Sequence, residues 1–402
     1  MGGSRAAPTR ETIETIVKMK PIENMELKNF AADFTQRCLI PQSRLYEKQS
    51  ITEGSILADI QSSGLLNLRI PEEFSGLGLT LEDAVVVAEE LAYGCSGIAS
   101  AMEASELAIT PLLLFGSDEQ KKLFLEPLAK DTLFAGLSPL PQDNESALSF
   151  KRAKEGFQLN GECPFVFNAT IGEWIFVSAQ IDNSLAAQRA MPSTSNNNSA
   201  SFLVPLKTPG LKVSETIHLL GRQAADLHSV IFDNVFVNEL SYLEGSSDWE
   251  HFCDSIASQH FPILAGGCTG VARRALELSC GYAKERRTFG VPIASHQAIA
   301  FMLADMAKDV EAGRLLTARA ARLATNDVID HTIFRSCKAF AQEMAMQVTT
   351  DAVQIFGGYG YSKEYPVEKL MRDARTYGLF AGTTPQLKMQ IGQRFLQKIQ
   401  AN

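Results

Sequence analysis

The chain has 402 residues, a formal net charge of −9, and 45% hydrophobic against 21% charged residues. That balance is ordinary for a globular protein, and the length predicts two or three domains. The acidic sign and the absence of a long basic run exclude a nucleic-acid surface, and no apolar run reads as a membrane span.

Residues 1–24 read as an N-terminal extension. The start lacks the apolar core of a secretory leader, and Ala6 leaves the Met-Gly myristoylation pattern incomplete. Arg5, Arg10, Lys18 and Lys20 suit an organelle-targeting segment, whereas Glu11 and Glu14 count against one. A cytoplasmic location is the expectation, with the mitochondrial matrix as the alternative. Cys38, Cys95, Cys163, Cys253, Cys268, Cys280 and Cys337 are odd in number and never form a CxxC pair. They predict reduced, mostly buried thiols. The histidines do not pair at zinc-ligand spacing, so no metal site is expected.

Residues 25–131 read as helical. SILADIQSSGLLNL places Ile56, Leu57, Ile60, Leu65 and Leu66 near helical spacing, with SSG as the exit. TLEDAVVVAEELAYG opens on Thr80 with Asp83 three residues later, a capping-box pattern, and is expected to stop at Gly94. SDEQKKLFLEPLAK begins with a Ser cap and acidic residues in its first turn. Short apolar or alternating runs follow, including GFQLNGECPFVFNA, EWIFVSAQI and HSVIFDNVFV. They predict a β-domain over 132–242, with PSTSNNNSAS as a solvated loop. Residues 243–402 return to helix. The small-residue run ILAGGCTGVARRALELSCGYAKER is expected to pack closely on its neighbours, and HQAIAFMLADMAKDVEAGRLL carries an apolar stripe.

Two stretches are more specific than this texture: YAKERRTFGVPIASHQAIAFMLADM (282–306) and DAVQIFGGYGYSKEYPVEKLMRDARTYGLFAGTT (351–384). With IPEEFSGLGLTLEDAVVVAEELAYGCSG near the start, they resemble the acyl-CoA dehydrogenase family from about residue 45 to 395, most weakly in the β-domain. The resemblance implies an α+β fold. Its parts are an N-terminal helical domain, a central β-barrel and a C-terminal four-helix bundle. It also implies FAD, an acyl-CoA or acyl-carrier-protein thioester, and a homo- or hetero-oligomer, either dimer or tetramer.

Arg287 offers a planar charged fork suited to a pyrophosphate, Phe289 a flat apolar face and Gln297 an amide donor. Gln354 with Gly357 and Gly358 gives a backbone that a ligand can approach closely. Taken singly, these residues read as a surface ion pair and a tight turn. As an ordered series they match the family positions that hold the ADP half of a neighbouring subunit's FAD. Phe165 and Thr383 complete the expected cofactor contacts. Tyr377, Phe380, Ala381, Gly382 and Phe261 complete the expected substrate pocket.

The departures lie on the chemical side. The family reaction needs a carboxylate to take the α-proton of a thioester, and such a base typically contributes ~10²–10⁴-fold. The resemblance places that carboxylate at Ala381 or, in some members, at His260. His260 is a candidate base in its place, set against a reading as a helix-end histidine. Glu277, Glu285 and Asp254 fall elsewhere on the pattern. Leu137 and Ser138 stand where Thr and Glu are expected ahead of Pro139, and Phe167 replaces the threonine expected to bond the flavin. Three readings follow: a flavoprotein with changed chemistry, a non-catalytic subunit that lends its clamp to a partner, or a flavin-free acyl-thioester binding protein.

Overall fold

The computed structural model describes residues 23–49, 51–53, 55–138, 148–182, 199–244, 248–326, 328 and 330–400. The N-terminal extension up to residue 22, Pro139, and residues 192–198 of the polar loop lie outside that set.

The first layer is helical: α1 (Glu23–Phe34), α2 (Ile56–Ser63), α3 (Leu81–Phe115), α4 (Asp118–Phe124) and α5 (Glu126–Lys130). Local signals set its boundaries. Gly64 ends α2 in the left-handed region at φ 73°, where a Cβ would be strained. The Thr80 hydroxyl accepts from the Asp83 N–H while the Asp83 side chain accepts from the Thr80 N–H, closing the expected box on α3. Ser117 and Gln120 do the same for α4. The expected stop at Gly94 appears as a break at Cys95 (φ −159°, ψ 102°), after which the helix resumes. By length and composition α3 could cross a membrane, yet it is mostly buried inside the fold.

The second layer is a sheet of β1 (Phe134–Leu137), β2 (Leu148–Ala153), β3 (Gly156–Phe167), β4 (Gly172–Ile181), β5 (Ser199–Pro205), β6 (Leu211–Thr216) and β7 (Leu227–Val237). The order is β1-β4-β2-β3-β7-β6, with β5 on β4. An additional pairing of β1 with β3 closes the ring β1-β4-β2-β3, and its register is Leu137 opposite Phe167. The barrel therefore shuts at Leu137 and Phe167, two positions expected from the resemblance to carry other residues.

The third layer holds α6 (Trp249–Glu285), α7 (Gln297–Thr325), α8 (His331–Phe356), α9 (Val367–Tyr377) and α10 (Thr384–Gln400). Glycines bring α6 against α3: a Cβ at Gly266 or Gly270 would strike the backbone carbonyl of Val85 or Glu89. Asp254 of α6 accepts hydrogen bonds from Arg335 of α8 and Arg394 of α10, tying three helices at one carboxylate. All seven cysteines are free thiols.

The layers meet at Arg222, on the segment between β6 and β7, where it is 1% exposed. Its backbone N–H donates to Asp373 Oδ1 at 2.6 Å, its Nε to the Ser96 carbonyl at 3.2 Å and its Nη2 to Glu103 Oε1 at 2.8 Å. Asp373 Oδ2 also accepts from Ser96 Oγ at 2.9 Å and Lys369 Nζ at 2.5 Å. Burial alone would raise the Asp373 pKa, but the Lys369 charge and the Arg222 N–H outweigh it and hold the carboxyl below its ordinary range. Asp373→Ala strands these donors in the interior, so the expected cost is about 3–5 kcal/mol, read as a drop in the urea midpoint. A loss below about 1 kcal/mol would show that the junction is not held electrostatically.

Candidate active site

The segment around Ala381 links α9 to α10. Ala381 has φ 54° and Gly382 φ 104°, so both lie in the left-handed region, and for Ala381 this is strained. Lys338 of α8 reaches the loop from the core side. Its Nζ donates to the Phe380 carbonyl at 2.7 Å and the Gly382 carbonyl at 2.8 Å, bracketing Ala381. Gln386 Oε1 accepts from the Thr383 N–H (3.0 Å) and hydroxyl (2.8 Å), starting α10.

The Phe380 ring meets the Phe167 ring edge to face at 5.1 Å between centroids. Phe167 is buried, and so are Leu137 and Ser138; Ser138 donates its N–H to the Phe176 carbonyl at 2.9 Å. Phe165, two residues before Phe167 on β3, points outward and is exposed.

The remaining expected pocket residues face the interior. Tyr377 is 1% exposed. Its hydroxyl donates to Glu103 Oε2 at 3.0 Å, its ring lies 4.4 Å from the Arg222 guanidinium carbon, and a Cβ at Gly267 would collide with it. Phe261 is also buried, and its ring centroid is 5.6 Å from Lys338 Nζ. His260 Nε2 donates to the Leu107 carbonyl at 2.8 Å, in the contact between α6 and α3. Burial pushes this imidazole down to about 3, with the Leu107 carbonyl pulling weakly the other way. The candidate base thus occupies a helix-packing position.

A second site forms at the other end of α6. Strands β8 (Arg287–Thr288) and β9 (Val291–Pro292) pair with Phe289 and Gly290 as the two turn residues. Both have positive φ, 52° and 83°, as a tight two-residue hairpin requires. Phe289 is 98% exposed in that strained conformation, and Arg287, Gln297 and Gln354 are exposed as well, although none of the four lines the neighbouring cleft. Gly357 has φ 59°, and a Cβ on Gly357 or Gly358 would meet nothing within 4 Å. A cleft of about 560 Å³ runs here, lined by Thr288, His296, Ile299, Phe356, Gly357 and Gly358 among others. Thr288 and His296, bonded to each other at 2.8 Å, are wall residues that the sequence pattern did not single out.

The structure thus gathers Phe167, Phe261, Phe380, Ala381 and Gly382 around Lys338. It gathers Thr288, Phe289, His296, Gly357 and Gly358 at the second site. An open cleft of about 800 Å³ runs beside the first site along α8, lined by Leu379, Thr383, Thr384, Phe340 and Met346 among others.

The family models for the N-terminal and C-terminal domains of acyl-CoA dehydrogenases match residues 22–132 and 262–396. The bovine mitochondrial short-chain specific acyl-CoA dehydrogenase is 30% identical over 94% of this chain and 91% of its own. A probable medium-chain specific acyl-CoA dehydrogenase of Caenorhabditis briggsae is 29% identical over 94% of this chain and 91% of its own. The solved butyryl-CoA dehydrogenase of Megasphaera elsdenii superposes with a TM-score of 0.85 at 27% identity, over 93% of this chain and 98% of that one. The chain belongs to the acyl-CoA dehydrogenase family. Neither domain model covers strands β1 to β7.

His228 provides an internal contrast to His260. Its Nε2 lies 2.8 Å from Asp226 Oδ1 and its Nδ1 2.9 Å from the Ser214 carbonyl, so both nitrogens face acceptors. The Asp226 hydrogen bond raises its pKa above the ordinary value. Its contribution to stability is full below about pH 6.5 and is lost as pH rises through the folded-state value. In nitrogen-detected NMR, His260 is expected to stay neutral down to about pH 5 and His228 to stay charged above about pH 6.5. Titration of His260 near about 6.5 would restore it as a candidate base.

Proposed function

We propose that this chain is an oligomeric flavoprotein subunit of the acyl-CoA dehydrogenase family. It lends its clamp to the FAD of a neighbouring chain and does not itself perform ordinary α,β-dehydrogenation of an acyl thioester. The contrast between two phenylalanines carries the reading. Phe289 stands strained and 98% exposed beside an open cleft, whereas Phe167 is buried against Phe380.

The residues at the cleft fit the ADP half of FAD. Arg287 would meet the pyrophosphate with its guanidinium fork. Phe289 and the walls of the cleft would cover the adenine, with Gln297 and Gln354 as amide partners. The glycine backbone at 357–358 allows close approach, since among the described residues a Cβ there would meet nothing within 4 Å. The residues around Ala381 do not fit the isoalloxazine half. The Phe167 and Phe380 rings touch there, and Phe167 brings no hydroxyl. Bound FAD would supply the hydride acceptor for the β-carbon of a thioester, and removal of the α-proton would need a base from the protein. In this chain Ala381 offers only a methyl group, and His260 is committed to the Leu107 carbonyl.

The acyl group would be presented as a CoA thioester, as the names of the relatives suggest, or as a carrier-protein thioester. The exposed Phe301 and Leu315 of α7, and Met389, Phe395 and Leu396 of α10, supply apolar area for the oligomer. Seven free thiols favour a reducing compartment, either the cytoplasm or the mitochondrial matrix.

The test is the visible absorption spectrum of the purified chain, alone and after co-expression with a family chain that carries Glu before its Gly-Thr. Alone, with added FAD, no stoichiometric flavin band is expected. In the complex a band is expected, and Arg287→Ala should weaken FAD retention about tenfold or more through the loss of charge-assisted hydrogen bonds. A stoichiometric band from the chain alone would overturn the proposal in favour of an enzyme with changed chemistry. Absence of flavin from both samples would favour the flavin-free binding protein.

A further inference from the structure

Lys338 is 1% exposed on the core face of α8. A buried ammonium ordinarily has a carboxylate partner. Among the described residues none lies within ion-pair distance of Lys338. Its hydrogen-bond acceptors are the neutral Phe380 and Gly382 carbonyls. An uncharged amine has two N–H groups, one for each carbonyl. An ammonium adds a third N–H, and only the Phe261 ring face, 5.6 Å away, offers it partial compensation.

We propose that Lys338 is the positioning residue of the Phe380–Gly382 loop, and that proton uptake by its amine loosens the loop. The two carbonyls it holds bracket Ala381, so Lys338 holds Ala381 at φ 54°, with Gln342 Nε2 adding a longer bond of 3.4 Å to the Gly382 carbonyl.

The groups facing Lys338 come from three helices: Glu103 of α3, Cys268 of α6 and Cys337 of α8. Burial pushes the Cys268 thiol up to about 12, and it raises Cys337 further still, so neither ionises near neutrality. Glu103 is tied to Arg222 at 2.8 Å and to the Tyr377 hydroxyl at 3.0 Å. Desolvation lowers Lys338 to about 7, with the two thiols and Glu103 opposing it.

The sign of the linkage is fixed by this depression. In an opened loop the amine is solvated and titrates near about 10.4. The closed state therefore binds fewer protons than the open state between these two values, and closure strengthens as pH rises through that window. Below about 7 both states are charged, and the opening equilibrium becomes independent of pH. This behaviour is independent of flavin, so it stands or falls separately from the proposed function.

The experiment is amide hydrogen exchange by mass spectrometry on the full chain from about pH 6 to about pH 9, corrected for intrinsic rates, with β4 as internal reference. In the native sequence, protection of the segment 379–383 is expected to rise about 100-fold across that range relative to β4. Lys338→Met removes the titration, so its protection profile should be flat. Lys338→Arg keeps a permanent charge and should hold the loop in its loosened state at every pH. A flat or falling profile in the native sequence overturns the proposal, and that comparison needs no variant. A rise that persists unchanged in Lys338→Met overturns it as well, because packing or another group would then be responsible.

Discussion

One buried guanidinium fixes how the three layers of this protein meet. Arg222 leaves the β-domain and enters the junction of the two helical domains, and its backbone N–H, Nε and Nη2 find acceptors there. Partners come from α3 through Ser96 and Glu103, and from α9 through Asp373 and Tyr377. A charge this deep is tolerated only when it is fully paired. The geometry of α9 relative to the barrel is thereby set, and so is the start of the loop that follows Tyr377. From that point the chain has six residues, 378–383, to reach α10, and Lys338 anchors them in the middle.

The two halves of the site are under opposite constraints. At the clamp, strain and exposure coincide: Phe289 holds a left-handed conformation that burial in its own chain does not reward. Strain of that kind persists where the surroundings over-determine it, and here the hairpin does so through the Arg287–Pro292 and Thr288–Val291 pairs. At Ala381 the strain is internal. The aromatic contact between Phe167 and Phe380 and the barrel closure at Leu137–Phe167 share one residue, so opening the flavin space would disturb the sheet as well.

Local chemistry made much of the fold legible in the sequence. Thr80 with Asp83, Ser117, and Gly64 marked helix ends because capping needs only residues a few positions apart. Phe289, Gly357 and Gly358, which border the cleft, were legible as members of an ordered series. Thr288 and His296 were not, because their role depends on a hairpin that folds them together. Lys338 left a signal that went unused: Phe334, Lys338, Ala341 and Ala345 follow the spacing of a buried helix face, and the lysine interrupts it. Arg222 left none, since it sits between strands where no period operates. Tyr377 and Phe261 were expected at a pocket wall and instead lie in the core, drawn inward by Glu103 and Lys338.

The central claim is that this chain keeps an open clamp and has closed the space beside Ala381. The most direct measurement is an experimental structure of the chain determined at saturating FAD. The account predicts that Phe167 and Phe380 remain in contact and that no isoalloxazine density appears between them. An ordered isoalloxazine beside Ala381, with the two rings swung apart, would contradict it.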